Sequence, residues 1–277
     1  MGTAEASIRA QQHRATCAHR ASFTFAITCI SRFMILRHRL MGRTRAADRA
    51  ITGNERASRH TIPCAASLLD AMFVEPSSRP AAAAVLLCHG IGETVEHWFR
   101  VQQLLAAHDV TSLVFDYSGY GHSTGRPDWD QFELDAMAAF SVLERLAPQL
   151  QRSVLGFSLG SGVASATINK IGAHRLVLCQ AFTSFRNAAL AARVPRPLTR
   201  LVPPIWHAQQ PLAACRLPVL VVHGAKDWLF PVAMAHELAA YCSPCAQIAI
   251  IPGTGHNQPF SRPQIDYWGP IIEWISK

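Results

Sequence analysis

Short apolar runs with strand character alternate along the chain with segments whose apolar positions recur at helical spacing. Beyond a first pair of strands within Arg59–Pro76, the predicted strands are Ala81–Cys88, Val110–Tyr117, Val154–Phe157, Arg175–Gln180, Val219–His223 and Gln247–Ile251. The predicted helices are His97–His108, Asp130–Gln149, Leu159–Ile171, Val232–Tyr241 and Pro263–Ser276. This alternation indicates βαβ units and an α/β fold with a mostly parallel sheet. Because the strands are continuously apolar, we expect helices on both faces of that sheet.

The stretch Ser153–Gly160 carries the strongest chemical signal in the sequence. It runs from an apolar strand into Gly-Phe-Ser-Leu-Gly and then into a segment of helical character. This is a G-x-S-x-G motif between a strand and a helix, a setting in which the serine stands on a tight turn with its hydroxyl clear of the sheet edge. Gly156 and Gly160 leave room where Cβ atoms would collide with the neighbouring strand and helix. We therefore predict Ser158 to be a nucleophile.

A second G-x-S-x-G match, Gly121–Gly125, lies in a different context. It follows the glycine-interrupted run Tyr117–Tyr120 and leads into Arg126–Asp128, a sequence typical of a loop rather than a helix. Its serine, Ser123, therefore lacks the strand–turn–helix setting that gives the motif its mechanism. We predict Ser158, not Ser123, as the reactive serine.

A reactive serine needs an imidazole to take its proton and an acid to orient that imidazole. In the strand–elbow–helix architecture the chain order is serine, acid, histidine. The acidic residues that follow the serine are Asp227, Glu237, Asp266 and Glu273. Glu237 lies in the middle of a predicted helix, so its side chain should project sideways. Asp227 follows a predicted strand at the carboxyl edge of the sheet, where the sites of open α/β folds lie.

The histidine is predicted from its loop. His256 lies in Pro252–Asn257, directly after a predicted strand and beyond the candidate acid. The sequence therefore predicts a triad of Ser158, Asp227 and His256. The alternatives are a turn aspartate at position 227 and a loop histidine bonded to backbone at position 256.

Two backbone N–H groups are predicted to form an oxyanion hole. One belongs to Leu159, the residue after the nucleophile, and the other to Ile91, in the His89–Gly92 loop after an earlier strand. We expect His89 and His223 to brace loops rather than to take part in chemistry.

The basic character of the chain is confined to its N-terminal part. Residues 1–60 hold eleven arginines, no lysine and three acidic residues, whereas residues 61–277 hold 15 basic and 15 acidic residues. The net charge of +8 therefore gives no reason to expect nucleic acid binding by the rest of the chain. Since 277 residues allow one or two domains, we predict a basic, poorly ordered extension over residues 1–58 and one domain over residues 59–277.

The N-terminal part contains one apolar stretch, Phe23–Leu36, which includes Arg32. It is shorter than the roughly 20 apolar residues that a spanning helix needs. We favour a loosely ordered extension over the alternative, contact between this basic segment and a membrane surface. The expected location is the cytoplasm.

The cysteines and histidines do not indicate a metal centre. The eight cysteines are too sparse for a disulfide framework of the small secreted kind. Cys242 and Cys245 form a lone C-x-x-C, which we predict to be a turn between a helix and a strand, a redox pair being the alternative. We expect no metal and no cofactor.

Five motifs follow one another along the chain: CHGIGETVEHW, FDYSGYGHSTGRP, LGFSLGSG, VHGAKDWLFP and PGTGHN. In this order they resemble the α/β-hydrolase-fold serine hydrolases, and DYSGYGHSTG resembles the BEM46-like or serine aminopeptidase-type esterase branch. The resemblance covers about residues 60–277. It implies the α/β-hydrolase fold, a mostly parallel sheet with helices on both faces, and a small cap over residues 184–211.

The predicted function is hydrolysis of a small-molecule carboxylic ester or thioester through an acyl-enzyme. An amide or peptide hydrolase, an acyltransferase with the same triad, and a non-catalytic binding protein on this fold are the alternatives. The cap is rich in arginine, which would favour anionic substrates if the arginines face the site and would be a solvated surface otherwise. Candidate substrate-pocket residues are Trp98, Phe157, Trp206 and Trp228.

Overall fold

One eight-stranded sheet organises the part of the chain that the computed structural model describes, residues 55–77, 80–242 and 244–277. The strands are β1 Glu55–Cys64, β2 Ser67–Pro76, β3 Ala83–Cys88, β4 Val110–Phe115, β5 Arg152–Phe157, β6 Arg175–Cys179, β7 Val219–Gly224 and β8 Ala246–Ile251. Their order across the sheet is β1-β2-β4-β3-β5-β6-β7-β8. The β1–β2 and β2–β4 pairs are antiparallel and the others are parallel, as the alternating pattern predicts.

Helices cover both faces of the sheet. They are α1 Val95–Ala107, α2 Trp129–Leu146, α3 Leu159–Thr167, α4 Phe185–Ala191, α5 Gln209–Ala214, α6 Val232–Tyr241, α7 Gln258–Ser261 and α8 Ile265–Ile275. Helices α1 and α8 pack on one face and α2, α3 and α6 on the other. Every residue of the inner strands β3, β4 and β7 is buried, which explains their continuous apolar sequences. This is the α/β-hydrolase fold, which the motif order implied.

The first strand begins at Glu55, four residues before the start of the predicted domain. Residues 55–64 pair with β2 along their whole length. Arg59 contributes to this edge, since its guanidinium donates to both carboxylate oxygens of Asp70 at 2.7 Å and to Glu96 at 2.6 Å. Most of the predicted N-terminal extension, residues 1–54, lies outside the described residues. In the described ranges, no helix combines the length and the apolar character that crossing a bilayer requires.

Tight packing at the end of β5 explains two of its glycines. A Cβ on Gly160 would lie 2.0 Å from the carbonyl oxygen of Cys88, at the end of β3. A Cβ on Gly156 would lie 2.4 Å from the carbonyl oxygen of Gly160. Helix α3 is built of small residues and is buried over nearly its whole length. It can therefore approach the strands only where side chains are absent.

We expect Gly160→Ala to destabilise the protein by more than the roughly 1–3 kcal/mol typical of an overpacked core, because its Cβ would meet backbone that cannot turn away. Thermal unfolding measures the effect. Gly269→Ala is the matched control: Gly269 lies inside α8, and the nearest atom to an added Cβ is 3.8 Å away. Since alanine favours helix over glycine by up to about 1 kcal/mol, the control should keep or raise the melting temperature. Equal losses in the two variants would contradict this account of the packing.

Candidate active site

Ser158 stands on the turn between β5 and α3. Its backbone has φ 52° and ψ −117°, a left-handed conformation that is strained for a residue with a side chain. Its N–H donates to the carbonyl of Cys179 at 3.0 Å, and its own carbonyl accepts from the N–H and the hydroxyl of Ser161, at 2.9 and 2.6 Å. These bonds tie the turn to β6 and to the first turn of α3. The strand–turn–helix sequence thus forces the serine into the geometry predicted for it.

His256 connects Ser158 to Asp227. Its Nε2 lies 3.1 Å from Ser158 Oγ, and its Nδ1 lies 2.8 Å from Asp227 Oδ2. Ser158 and His256 are nearly excluded from solvent, with exposed fractions of 5% and 3%. The residues predicted from three separate loops are therefore brought into one hydrogen-bonded chain. It is assembled at the carboxyl ends of β5, β7 and β8, at the edge where the sites of α/β sheets lie.

Asp227 is held as a carboxylate. Burial raises its pKa, but the hydrogen bond and charge of His256 and the N–H groups of Phe230 and Leu229 outweigh burial, so the pKa of Asp227 lies below its usual value. The two N–H groups donate to Oδ1 at 2.9 and 2.8 Å. An ionised carboxylate can only accept, so Nδ1 of His256 carries the hydrogen and Nε2 is left to accept from Ser158. A lowered carboxyl pKa stabilises the fold above the unfolded pKa of about 4, and this contribution is lost as the pH falls through the folded value.

The two predicted loop-bracing histidines lie where expected. His223 Nε2 is 3.0 Å from the carbonyl oxygen of Phe230 and 3.5 Å from Asp227 Oδ2. Burial lowers the pKa of His223, and it lowers the pKa of His89 to about 4. His89 Nδ1 lies 2.8 Å from the carbonyl oxygen of Gly90. Both imidazoles are therefore neutral at physiological pH and serve as hydrogen-bonding groups.

The loop after β3 carries Ile91 and is shaped by Glu93, a residue for which the sequence motifs predicted no role. Glu93 folds its buried carboxylate back, so that Oε2 accepts from the N–H of Gly90 and from the indole N–H of Trp98, each at 2.8 Å. Ile91 lies within this braced turn, and Leu159 is the first residue of α3, where helix N–H groups have no intrahelical acceptor. Since β3 and β5 are parallel neighbours, both predicted donors come from one edge of the sheet. Their role as an oxyanion hole stays a prediction.

Ser123, in the second G-x-S-x-G match, has a structural role. Its hydroxyl donates to the carbonyl of Asp116 at 2.7 Å and accepts from the N–H of Asp70 at 2.9 Å. Both hydrogen-bonding capacities of the side chain are thus engaged by backbone groups of β2 and of the loop that follows β4. This bracing accounts for a serine at that position without any chemistry.

Three of the four candidate pocket residues, Trp98, Phe157 and Trp206, are buried in the core. Trp98 and Phe157 are fully buried and pack edge to face, with ring centroids 5.4 Å apart. Trp98 also stacks on Phe260, and Phe157 lies 5.6 Å from the ring of His256. The prediction that Trp98 and Phe157 line a substrate pocket is wrong, because neither side chain is exposed. Phe157 packs against the ring of His256, and Trp98 packs against Phe157.

Trp206 and Trp228 differ in burial and in their distance from the triad. Trp206 is also buried, and it packs across Gly162 of α3 and lines a cavity of about 320 Å³ to which no triad side chain contributes. Trp228 is 64% exposed, and its ring centroid lies 6.1 Å from that of His256. Of the four candidates, Trp228 alone is both next to the triad and open to solvent.

The segment predicted to be a cap lies between two strands, and its role as a cap stays a prediction. Residues 184–211 form α4, a short 3-10 helix at Leu198–Leu201 and the start of α5 between β6 and β7. The cysteine pair follows α6 and precedes β8, and burial raises the pKa of Cys242 to about 12. A thiol held protonated in this way is a poor redox group.

Comparison with known proteins agrees with this fold. A family model for the alpha/beta hydrolase fold matches residues 83–181, and a model for the serine hydrolase family FSH1 matches residues 135–267. The chain therefore has the α/β-hydrolase fold, and over these residues its sequence is similar to the serine hydrolases of that fold.

Its relatives are diverse. The uncharacterised protein Rv2307c of Mycobacterium tuberculosis is 29% identical over 195 residues, 69% of each chain. The lysophosphatidylserine lipase ABHD12 of Macaca fascicularis is 23% identical over 210 residues, 67% of this chain and 52% of that protein. Among solved structures, the Pyrococcus furiosus esterase Pf2001 superposes with a TM-score of 0.65 at 18% identity, covering 79% of this chain and 91% of the esterase. That degree of identity supports the fold alone.

Proposed function

We propose that the protein hydrolyses carboxylic ester or thioester bonds through an acyl-enzyme on Ser158. The observation that carries the proposal is the hydrogen-bonded chain from Ser158 through His256 to Asp227, with distances of 3.1 and 2.8 Å. An ionised, buried acid holds the histidine in the tautomer that accepts the serine proton. A protein that only binds ligands has no physical need for this arrangement.

The reaction follows from the positions of these groups. As Ser158 Oγ attacks the acyl carbon, Nε2 of His256 takes its proton, and the N–H groups of Leu159 and Ile91 stabilise the oxyanion. His256 then gives the proton to the departing alcohol or thiol, and the acyl group stays on Ser158. Water attacks this acyl-enzyme with His256 as base and releases the carboxylic acid. Asp227 stays ionised throughout and stabilises the imidazolium.

The position of Trp228 is evidence for a substrate with an apolar group next to the nucleophile. Its indole is exposed next to His256, and an exposed aromatic ring offers an apolar surface that loses water on binding an acyl chain. The names of two similar proteins, an esterase and a lipase, point to the same bond type. The arginines of the cap are less informative, because the guanidinium of Arg186 is used to bind the carbonyl of Val202 and Arg196 is exposed.

A fluorophosphonate probe should label the wild-type protein on Ser158, and Ser158→Ala should take no label while keeping the fold. Intact-mass spectrometry and peptide mapping measure the adduct. Ser123→Ala is the matched control, since it removes the serine of the other G-x-S-x-G match and should leave labelling at Ser158 unchanged. An unlabelled wild type, or an adduct that survives in Ser158→Ala, would exclude a nucleophilic Ser158.

Asp227→Asn should lower kcat roughly 10⁴-fold, because the amide presents a donor to His256 and favours the wrong tautomer. Steady-state kinetics with an activated ester measures the loss. Circular dichroism should show a folded variant, since asparagine keeps the size of the side chain and can still accept from the N–H groups of Leu229 and Phe230. A variant that keeps more than a tenth of wild-type kcat would show that Asp227 does not orient the base.

The substrate class is tested with p-nitrophenyl acyl esters of rising chain length, acyl thioesters and aminoacyl amides. We expect kcat/KM for esters and thioesters to exceed that for the amides at matched acyl groups. A preference for the amides would favour the peptide hydrolase alternative. Transfer of the acyl group to an added alcohol in preference to water would favour an acyltransferase.

Trp228→Ala should raise KM for long-chain esters about tenfold and leave the acetyl ester close to wild type, because only a long acyl chain reaches the indole. The comparison within one variant separates lost binding surface from general damage to the site. Equal losses for the acetyl and long-chain esters would argue that Trp228 supports His256 rather than the substrate.

A further inference from the structure

Gln180 occupies an unusual position for an amide side chain. It directly follows β6, it is fully buried, and its backbone has φ 47°, in the left-handed region. Its N–H donates to the carbonyl of Val222 at 3.1 Å and continues the ladder between β6 and β7. The backbone twist after β6 directs the chain away from the strand while the side chain stays inside. A buried amide of this kind must satisfy its hydrogen-bonding groups locally.

The side chain of Gln180 bonds to both loops that carry the triad acid and base. Its Oε1 accepts from the N–H of Gly224 at 2.7 Å, at the end of β7 and three residues before Asp227. Its Nε2 donates to the carbonyl of Gly255 at 2.9 Å and approaches the carbonyl of His256 at 3.5 Å. The partners fix the orientation of the amide, since an N–H can only meet the oxygen and a carbonyl can only meet the nitrogen.

The two loops are pressed together where Gln180 supports them. The N–H groups of Ala225 and Lys226 donate to the carbonyls of Ile251 and Thr254, each at 2.9 Å. A Cβ on Gly224 would lie 2.3 Å from the Thr254 oxygen, so the backbones are in close contact. Gln180, at the end of β6, bonds to both of these loops.

We propose that Gln180 is a positioning residue that sets the register between the Asp227 loop and the His256 loop, and so the hydrogen bond between acid and base. The inference rests on the proposed function, because it concerns the efficiency of the same triad. The hydrogen bonds of the Gln180 side chain go to backbone groups of the two loops, so Gln180 acts through the backbone on either side.

The test compares Gln180→Met with Gln102→Met. Methionine keeps the length of glutamine and removes its hydrogen bonds. Gln102 is an equally buried amide of α1, whose Nε2 donates to the carbonyls of Met72 and Ser112 at 2.9 and 3.3 Å, between strands β2 and β4. Loss of a buried amide should lower the melting temperature of both variants. Only Gln180→Met should change the chemistry.

We expect Gln180→Met to lower kcat about tenfold with KM near the wild-type value, since misalignment of the triad affects the transition state more than substrate binding. The acidic limb of its kcat/KM profile should move to lower pH, because a looser Asp227 stabilises protonated His256 less. The other titratable groups that face this pair, His223 and Tyr267, are unchanged in the variant. Gln102→Met should keep the wild-type kcat and the wild-type profile.

A second variant, Gln180→Glu, tests the positioning role of Gln180 if Gln180→Met does not fold. It keeps the acceptor for Gly224 and restores the donor to Gly255 only when its carboxyl is protonated. Its kcat relative to wild type should therefore rise as the pH falls. An unchanged ratio across the pH range, or an equal loss of kcat in Gln102→Met, would overturn the proposal. Failure of the wild type to take a fluorophosphonate label on Ser158 would instead contradict the proposed function itself.

Discussion

The close approach of helix α3 to strand β3 is the constraint on which the site depends. Gly160 passes the carbonyl of Cys88 with no room for a Cβ, and Gly156 on β5 leaves room for the first turn of α3. The chain can reverse direction so sharply only if the residue between them accepts a left-handed backbone, and that residue is Ser158. The strain at Ser158 is balanced by the buried packing of α3 on the sheet. Reactivity and packing are thus two results of one turn.

Burial around this turn determines which groups carry charge. It lowers the pKa of His223 and brings the pKa of His89 to about 4, so both remain neutral supports. Asp227 is different, because two backbone N–H groups and His256 stabilise its ionised form against the cost of burial. The contrast explains how one carboxylate next to two imidazoles can orient His256 while His223 stays a loop brace. Desolvation dominates where hydrogen bonds are few, and hydrogen bonds dominate where three converge.

Much of the fold and the reactive centre follows from local patterns in the sequence. Continuous apolar strands predict a covered parallel sheet, and the absence of acids between Ser158 and Asp227 leaves few candidates for the triad. The pocket is harder to predict, because Trp98 and Trp228 lie equally close to motifs in sequence. Burial distinguishes them: Trp98 is fully buried and its indole N–H donates to Glu93, whereas Trp228 is exposed. Which face a loop side chain takes depends on distant packing that no local pattern encodes.

Gln180 illustrates that limit most clearly. Its amide joins residues 44 and 75 positions further along the chain, and nothing near it in sequence marks it as more than the end of an apolar strand. Its contacts exist only once β6, β7 and β8 lie side by side. The bonds from His256 span 29 residues to Asp227 and 98 to Ser158, so the site has no local stability of its own. A side chain that bonds both the Asp227 loop and the His256 loop therefore bears directly on how these two residues are aligned.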